Sequence, residues 1–321
     1  MKFLTWQYPE QLFVAQELIN KVKSKCCGIK DKEIKYMNKV EKSILMVLST
    51  VLLTLSFTSC SKEENDNNKP SEKRLEKITV KEYEWKFGEK STYGELYEEF
   101  TYDENGNLVK FVENHYNSAV HGRIMETTTY TYDSQNRLIQ ENQSGLSKYV
   151  YKYQYNDQDL LIAKQEYNGK GALTEEYQYE YDSQKRKTKE IEIHPSLTNF
   201  GYVRMYSYSG NKVTEVTTML SDGSPFGTMV WEYDTHNNLL TETWTNDEKK
   251  ETTVQKKFNY TYDANGRMKQ SIYNDYPDYP ALATIKVQDF NYDEQGKISL
   301  IHVSYQNKND QSDLEYTYSY R

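Results

Sequence analysis

The sequence predicts an all-β protein built from repeated antiparallel β-hairpins of about 27 residues each. Aromatic and polar residues alternate in short runs, the runs end in Tyr-Asp turns, and successive turns are 23 to 30 residues apart. Period-two alternation is the pattern of a half-buried strand, and a regular spacing of this length is typical of repeat architectures. The expected fold is a coiled meander sheet or a β-solenoid-like array; an open superhelical sheet and a partly closed barrel both satisfy the pattern.

One unit near the C-terminus shows how the hairpin is encoded. Phe258, Tyr260 and Tyr262 alternate with polar residues, which predicts a strand with one aromatic face. Asp263 then takes the first position of a type I turn, where its carboxylate can accept backbone N–H groups. Gly266 takes the fourth position, where a positive φ is often required, and an apolar residue six positions after Tyr262 starts the return strand.

The same frame recurs along the chain, with two departures. The residues predicted to define the turns are Asp103, Asp133, Asp182, Asp234, Asp263 and Asp293, together with Gly106, Gly266 and Gly296. Asn156 stands in the place of the aspartate in one further copy. In the copy that begins at Tyr181, Lys185 replaces the residue at the fourth turn position. Lys187 replaces the apolar residue that starts the return strand. The copy at Tyr208 is one residue shorter, which predicts a tighter turn.

The Tyr-Asp-x-x-Gly-x-Leu frame resembles the YD repeat of the RHS family over residues 95–321. In large members of that family the hairpins wind into a shell that encloses a toxic C-terminal domain. The resemblance therefore implies a structural shell or assembly component that works with a separately encoded partner. It implies little about activity.

The repeat domain is expected to span residues 73–321, and its composition is unusual. The chain has 31 tyrosines against 10 phenylalanines, and its mean hydropathy is -0.93. A tyrosine ring is apolar and its hydroxyl needs a partner or water, so a face built from tyrosine can stay partly wet. The apolar residues between Leu75 and Phe87 are expected to cover the first edge of the sheet.

The N-terminal residues predict an export signal. Lys39 and Lys42 precede an uncharged, apolar run from residue 43 to residue 57, which is the pattern of a secretory signal peptide over residues 37–59. A start at Met37 fits that signal, so residues 1–36 are expected to be a mis-annotated upstream extension. The run ends in small residues before Cys60, which resembles a bacterial lipobox and implies lipidation of Cys60. A transmembrane helix is the alternative for this run.

Residues 60–72 have an acidic, uniformly polar composition after the cysteine, which predicts a flexible tether. The tether resembles those of surface-exposed lipoproteins. The expected location is the outer membrane, attached through the lipid on Cys60 and exposed at the surface, with a periplasm-facing orientation as the alternative. The other cysteines, Cys26 and Cys27, lie upstream of the predicted cleavage site.

The sequence predicts neither catalysis nor a cofactor. The repeated aspartates have a structural role in their turns, and no phosphate loop, nucleophile elbow or zinc-protease motif is found. His115 and His121 are close in sequence but lack a neighbouring carboxylate or cysteine cluster, so no metal site is predicted. The formal net charge of -8 argues against a nucleic-acid partner.

Aromatic residues in the segments between the repeated turns are the best candidates for ligand binding, because loops carry recognition more often than the repeated frame. These candidates are Phe226, Trp244, Tyr273, Tyr276 and Tyr279. The leading functional hypothesis is a non-enzymatic, lipid-anchored envelope protein whose sheet or loops bind a glycan or a protein. The alternative is the RHS-like shell component.

Overall fold

The computed structural model describes residues 73–117, 120–146, 148–278, 284–306 and 310–321. The predicted signal, Cys60 and the tether lie outside these residues, as does Tyr279. The strands are β1 Leu75–Lys86, β2 Glu89–Lys90, β3 Glu95–Tyr102, β4 Leu108–Asn117, β5 Gly122–Tyr132, β6 Leu138–Ser144, β7 Tyr149–Tyr155, β8 Leu161–Asn168, β9 Leu173–Tyr181, β10 Lys187–Ile193, β11 Gly201–Ser209, β12 Lys212–Met219, β13 Pro225–Tyr233, β14 Leu239–Asn246, β15 Glu251–Tyr262, β16 Met268–Asp275, β17 Thr284–Tyr292, β18 Ile298–Tyr305 and β19 Gln311–Tyr320.

The all-β, antiparallel hairpin prediction is confirmed, but the sheet closes on itself. From β3 to β19 each strand pairs with its neighbours in sequence, and β1 pairs with β3 on one side and with β19 on the other. The short β2 pairs only with the end of β1, so 18 of the 19 strands form the ring. The predicted solenoid-like array or coiled meander sheet is therefore wrong. Closure pairs both edges of the sheet, which an open array would leave exposed.

A β-bulge after each Tyr-Asp turn supplies curvature for this closure. In the first hairpin Thr101 lies opposite Lys110, whereas Tyr102 lies opposite Leu108, so Val109 is an extra residue on the return strand. The same shift occurs at the turns that follow Tyr132, Tyr155, Tyr181, Tyr233, Tyr262 and Tyr292. Bulges bend a strand and increase its twist, and repeated bulges of this kind curve a sheet toward a barrel.

The turns follow the hydrogen-bond pattern expected of an aspartate at the first position. Asp263 Oδ1 accepts the backbone N–H groups of Asn265 and Arg267, both at 2.9 Å, and Gly266 has a φ of 76°. The Tyr181 copy corrects the sequence interpretation. Lys185 adopts a φ of 60° and the turn closes with the same bonds as its neighbours, so the lysine occupies the left-handed position instead of abolishing the turn.

Tyrosine hydroxyl groups join successive hairpins, which the sequence analysis did not foresee. In each case the tyrosine lies near the end of the first strand of a hairpin, and its hydroxyl donates to a carbonyl oxygen of the preceding hairpin. The acceptor is the first residue of that hairpin's return strand. These bonds of 2.7–2.8 Å are Tyr132 to Leu108, Tyr155 to Leu138, Tyr208 to Lys187, Tyr260 to Leu239, Tyr292 to Met268 and Tyr318 to Ile298. Phenylalanine could pack in the same place but could not donate, which accounts for tyrosine at these six positions.

The residue after the fourth turn position also connects neighbouring hairpins. Arg137 donates through Nε to Asp133 in its own turn at 2.7 Å, and its guanidinium lies 5.0 Å from the ring centre of Tyr155 in the next hairpin. Arg267 repeats the arrangement with Asp263 and Tyr292, at 4.5 Å from the ring. Each arginine therefore contacts both the aspartate of its own turn and the tyrosine ring of the next hairpin, and so links the two hairpins.

The core lies on the inward face of the ring. Ile78 and Val80 of β1 are buried and lie opposite Tyr318 and Tyr316 of β19. The expectation that this strand covers an edge is wrong, because β1 pairs on both sides. Phe87, at the turn between β1 and β2, is fully exposed and belongs to no core.

Candidate functional site at the loop end of the barrel

The two ends of the barrel differ. One end carries the repeated Tyr-Asp turns, and the other carries connections of varied length and composition, here called the loop end. Three of these connections, residues 194–200, 220–224 and 247–250, join β10 to β11, β12 to β13 and β14 to β15. The repeated turn frame is absent from these three connections, although the turn at Asn168, between β8 and β9, repeats it at the same end. Side chains in the three connections are therefore available for recognition.

Four rings at the loop end form a continuous aromatic row, defined as Phe200, Tyr202, Phe226 and Trp244. The ring centres of Phe200 and Tyr202 are 5.8 Å apart, those of Tyr202 and Phe226 are 5.1 Å apart, and those of Phe226 and Trp244 are 5.7 Å apart. The row therefore crosses from the start of β11 to β13 and the end of β14. It unites two of the predicted ligand-binding residues, Phe226 and Trp244.

A bulge and a glycine place these rings together. Thr217 lies opposite Gly227 but Thr218 lies opposite Pro225, so Phe226 is an extra residue in β13. Bulges redirect side chains, and the ring of Phe226 fits between those of Tyr202 and Trp244. A Cβ atom on Gly227 would lie 2.0 Å from the Trp244 indole, so the indole covers the backbone at this position only because glycine is there.

The aromatic row remains open to solvent. Phe226 is 43% exposed, and Phe200, Tyr202 and Trp244 are half-buried. Solvent-accessible aromatic rings in one row are a surface on which the apolar face of a ligand can stack.

A charged network on the inward face adjoins the aromatic row. It consists of Glu175, Lys187, Glu190, Glu192, His194, Arg204 and Glu215. The His194 ring lies 5.0 Å from that of Phe200, and its Nε2 is 2.6 Å from Glu192 Oε1. Arg204 donates to Glu192 at 2.5 Å and to Glu190 at 2.8 Å. The aromatic row and the largely buried charged network thus adjoin each other through the contact between Phe200 and His194.

Burial and pairing set the protonation of this network. Burial raises the pKa of Glu175 to about 7, although a hydrogen bond from Tyr177 opposes the shift. Burial would also raise the pKa of Glu190, but Lys187 and Arg204 outweigh it and lower that pKa. Burial alone would lower the pKa of Arg204, and the surrounding carboxylates reverse the effect. Glu190 and Arg204 therefore stay charged, whereas Glu175 can take up a proton near neutral pH.

Glu175, Glu192 and His194 are the candidate metal ligands of the described part of the chain, because their donor atoms all lie within 4.8 Å of one another. Each already has a protein partner: Glu175 accepts from Tyr177, Glu192 accepts from Arg204, and His194 contacts Glu192. No metal site is predicted from the sequence, because the members of this group come from two strands and a loop and lie far apart in the chain.

Tyr273 and Tyr276, the other predicted binding residues in the described part of the chain, make no ring contact with the aromatic row. Tyr273 stacks on Phe258 with ring centres 4.8 Å apart, and burial raises the pKa of its hydroxyl. Tyr276 is 41% exposed with a φ of 51°, and its backbone N–H donates to Gln255. Tyr202 and Phe200 were missed, because Tyr202 has the appearance of an ordinary strand tyrosine and Phe200 stands alone after a polar loop.

Comparisons with known proteins give remote structural similarities. No family model matches the chain, and no curated protein matches it. A porin-like protein from Bacteroides uniformis aligns with a TM-score of 0.40 and 14% identity, over 76% of this chain and 96% of that protein. A porin-like protein from Bacteroides vulgatus aligns with a TM-score of 0.31 and 11% identity, over 76% of this chain and 98% of that protein.

The toxin complex TcdB2-TccC3 without its hypervariable C-terminal region aligns with a TM-score of 0.30 and 16% identity. The alignment covers 66% of this chain and 11% of the toxin chain, so this protein corresponds to about a ninth of its length. At these TM-scores none of the three similarities transfers a function to this protein.

Proposed function

We propose that this protein is a non-enzymatic, lipid-anchored protein of the cell envelope that binds a glycan at the loop end of its barrel. The observation that carries the proposal is the aromatic row, whose rings follow one another at 5.1–5.8 Å. Sugars present apolar C–H faces that stack on aromatic rings, and their hydroxyls bond to carboxylate, guanidinium and imidazole groups. The charged network beside the row supplies all three kinds of group.

The pairing within the charged network favours recognition over catalysis. Glycoside hydrolysis requires two carboxyl groups facing one bond, one of them held as an acid and the other as a base or nucleophile. Glu190 and Glu192 are both bonded to Arg204, and Glu190 is bonded also to Lys187. Carboxylates fixed by cations are suited to accepting hydrogen bonds from a bound ligand.

The outward face of the barrel supports attachment through a lipid instead of a membrane-embedded wall. Outward residues of β5, β7 and β9 include the exposed polar side chains Thr129, Lys152, Gln154, Gln178 and Glu180, and the exposed apolar residues Met125, Ile139 and Ile162 are interspersed among such positions without forming a continuous band. A barrel embedded in lipid needs an apolar outward band, and charged side chains there are costly. None of the described residues forms a helix suited to crossing a membrane.

Binding to a panel of immobilised glycans tests the function. The purified full chain should bind at least one glycan, and the double variant Phe226→Ala/Trp244→Ala should lose that binding. Phe87→Ala is the matched control, because this ring is fully exposed at the turn between β1 and β2 and makes no ring contact with the aromatic row. Unchanged binding by the double variant would refute the assignment of the site, and the absence of any bound glycan would refute the function.

The envelope location is a separate part of the proposal. Lipidation at Cys60 would place the barrel at the outer membrane, exposed at the cell surface or facing the periplasm. Metabolic labelling with a fatty acid should mark the wild type and not Cys60→Ser. Proteinase K added to intact cells should degrade the barrel if it is surface-exposed; protection until the cells are lysed would instead support the periplasm-facing orientation.

A shell or assembly role of the kind implied by the RHS resemblance is the second candidate. Closure of the ring by β1 and β19 favours it, because a closed wall can enclose a guest. This role predicts that a separately encoded partner copurifies with the barrel and is protected from protease only in the complex. A partner that is digested equally well with and without the barrel would exclude enclosure.

A further inference from the structure

The rings of the aromatic row are tilted against one another. The planes of Phe200 and Tyr202 meet at 73°, those of Tyr202 and Phe226 at 59°, and those of Phe226 and Trp244 at 60°. Some ring pairs elsewhere are nearly parallel, as Phe258 is to Tyr260 at 11°, whereas Trp85 and His302 meet at 86°. What distinguishes the aromatic row is that three successive ring pairs are all tilted.

The tilt is held by packing. The bulge fixes Phe226 between Tyr202 and Trp244, and the Trp244 indole lies over the backbone of Gly227. Tilted and edge-to-face ring pairs are favourable contacts, so turning the rings parallel would lose them. A ligand therefore meets a preorganised surface, which reduces the ordering needed on binding.

This geometry discriminates between shapes of glycan. A sugar stacks with its apolar face flat on a ring. In a flat ribbon, such as a β-1,4-linked glucan, the faces of successive sugars are parallel, so the ribbon can lie flat on only one of two neighbouring rings. A chain that rotates from one sugar to the next presents faces at an angle and can stack on both.

The charges of the network further restrict the class of sugar that can bind. Besides His194, the charged network contains the carboxyl groups of Glu175, Glu190, Glu192 and Glu215 and the cations of Lys187 and Arg204; with Glu175 protonated, three carboxylates remain against two cations. An anionic sugar placed beside this excess of carboxylates would be repelled. Neutral sugars can donate their hydroxyl groups to the same oxygens.

We propose that the aromatic row binds a neutral glycan chain that turns from residue to residue, in preference to a flat ribbon. This inference rests on the proposed glycan-binding function and specifies its ligand. The preference for turning chains over flat ribbons comes from the tilt between the rings of Tyr202, Phe226 and Trp244.

Three glucose hexamers of equal length test the proposal, because they differ only in linkage: the turning maltohexaose and laminarihexaose, and the flat cellohexaose. In isothermal titration of the purified full chain, at least one turning hexamer should bind about tenfold or more tightly than cellohexaose. Trp244→Ala should abolish that preference, and Phe87→Ala should retain it.

The outcomes separate this proposal from the function on which it rests. Equal or tighter binding of cellohexaose, lost in Trp244→Ala, would overturn the preference for turning chains and leave glycan binding at the row intact. Binding of free glucose as tight as that of the hexamers would also overturn it, since a single sugar cannot sense the tilt between rings. Failure of all three hexamers and of every glycan on the panel would overturn both.

Discussion

Replacing the six tyrosines that join successive hairpins with phenylalanine removes six hydroxyl groups and leaves the rings in place. The six residues are Tyr132, Tyr155, Tyr208, Tyr260, Tyr292 and Tyr318, and their bonds are 2.7–2.8 Å long. A hydrogen bond of this kind contributes about 1 kcal/mol net to stability. The six bonds join different strand pairs, so their effects should be close to additive and sum to about 6 kcal/mol. Domains are stable by only about 5–15 kcal/mol, so the sixfold variant should be barely folded.

Thermal and urea unfolding, followed by circular dichroism, measure the effect. A single change such as Tyr132→Phe should lower the melting temperature by about 2–4 °C, and the sixfold variant should show a far larger loss. Tyr93→Phe is the control, because Tyr93 is 76% exposed. A sixfold variant that melts within about 4 °C of the wild type would refute the reasoning, and would mean that the tyrosines act through their rings alone.

Three further perturbations follow from the structure. Asp133→Ala should lower the free energy of unfolding by about 1–2 kcal/mol in urea titrations, because the N–H groups of Gln135 and Arg137 lose their acceptor; Asp133→Asn should cost less, as an amide can still accept both bonds. Burial, assisted by the charge of the opposite Glu113, raises the pKa of Glu98 from 4.5 to about 8. Between these pH values Glu98 holds a proton in the folded state but not in the unfolded state. The melting temperature should therefore fall as pH rises from about 5 to 8. Glu98→Gln should flatten this dependence; an unchanged slope would exclude Glu98 as its source. Gly227→Ala should displace the Trp244 indole, seen as a change in tryptophan fluorescence together with weaker glycan binding, and an unchanged emission spectrum would contradict the close contact.

The local structure of the hairpins could be predicted from sequence because it depends on near neighbours. An aspartate that accepts N–H groups two and four residues later, as Asp263 does, leaves its signature in a short segment. Closure could not be predicted in this way, because it depends on the pairing of β1 with β19 at the two ends of the repeat domain. The curvature that permits closure comes from bulges such as that at Val109, and a bulge leaves no distinctive residue type behind.

Two individual residues of the candidate site could be predicted from the sequence, but the contacts that bring its rings together could not. Phe226 and Trp244 stand out as aromatic residues in segments without the repeated frame. Their contact depends on the bulge in β13 and on Gly227, which bring together residues 18 positions apart. Tyr202 could not be distinguished in sequence from the many tyrosines that serve the sheet, because its role depends on the end of the barrel at which it lies.

The separation of the two ends explains how one barrel can combine a uniform frame with a specific site. The Tyr-Asp end contains the hydroxyl and arginine contacts that link each hairpin to the next, as at Tyr132 and Arg137. The three connections beside the aromatic row lack those contacts, so the rings can tilt and the bulge in β13 can form without disturbing them. Substitutions at Phe226 should therefore change ligand binding much more than stability, whereas substitutions at Tyr132 should do the reverse.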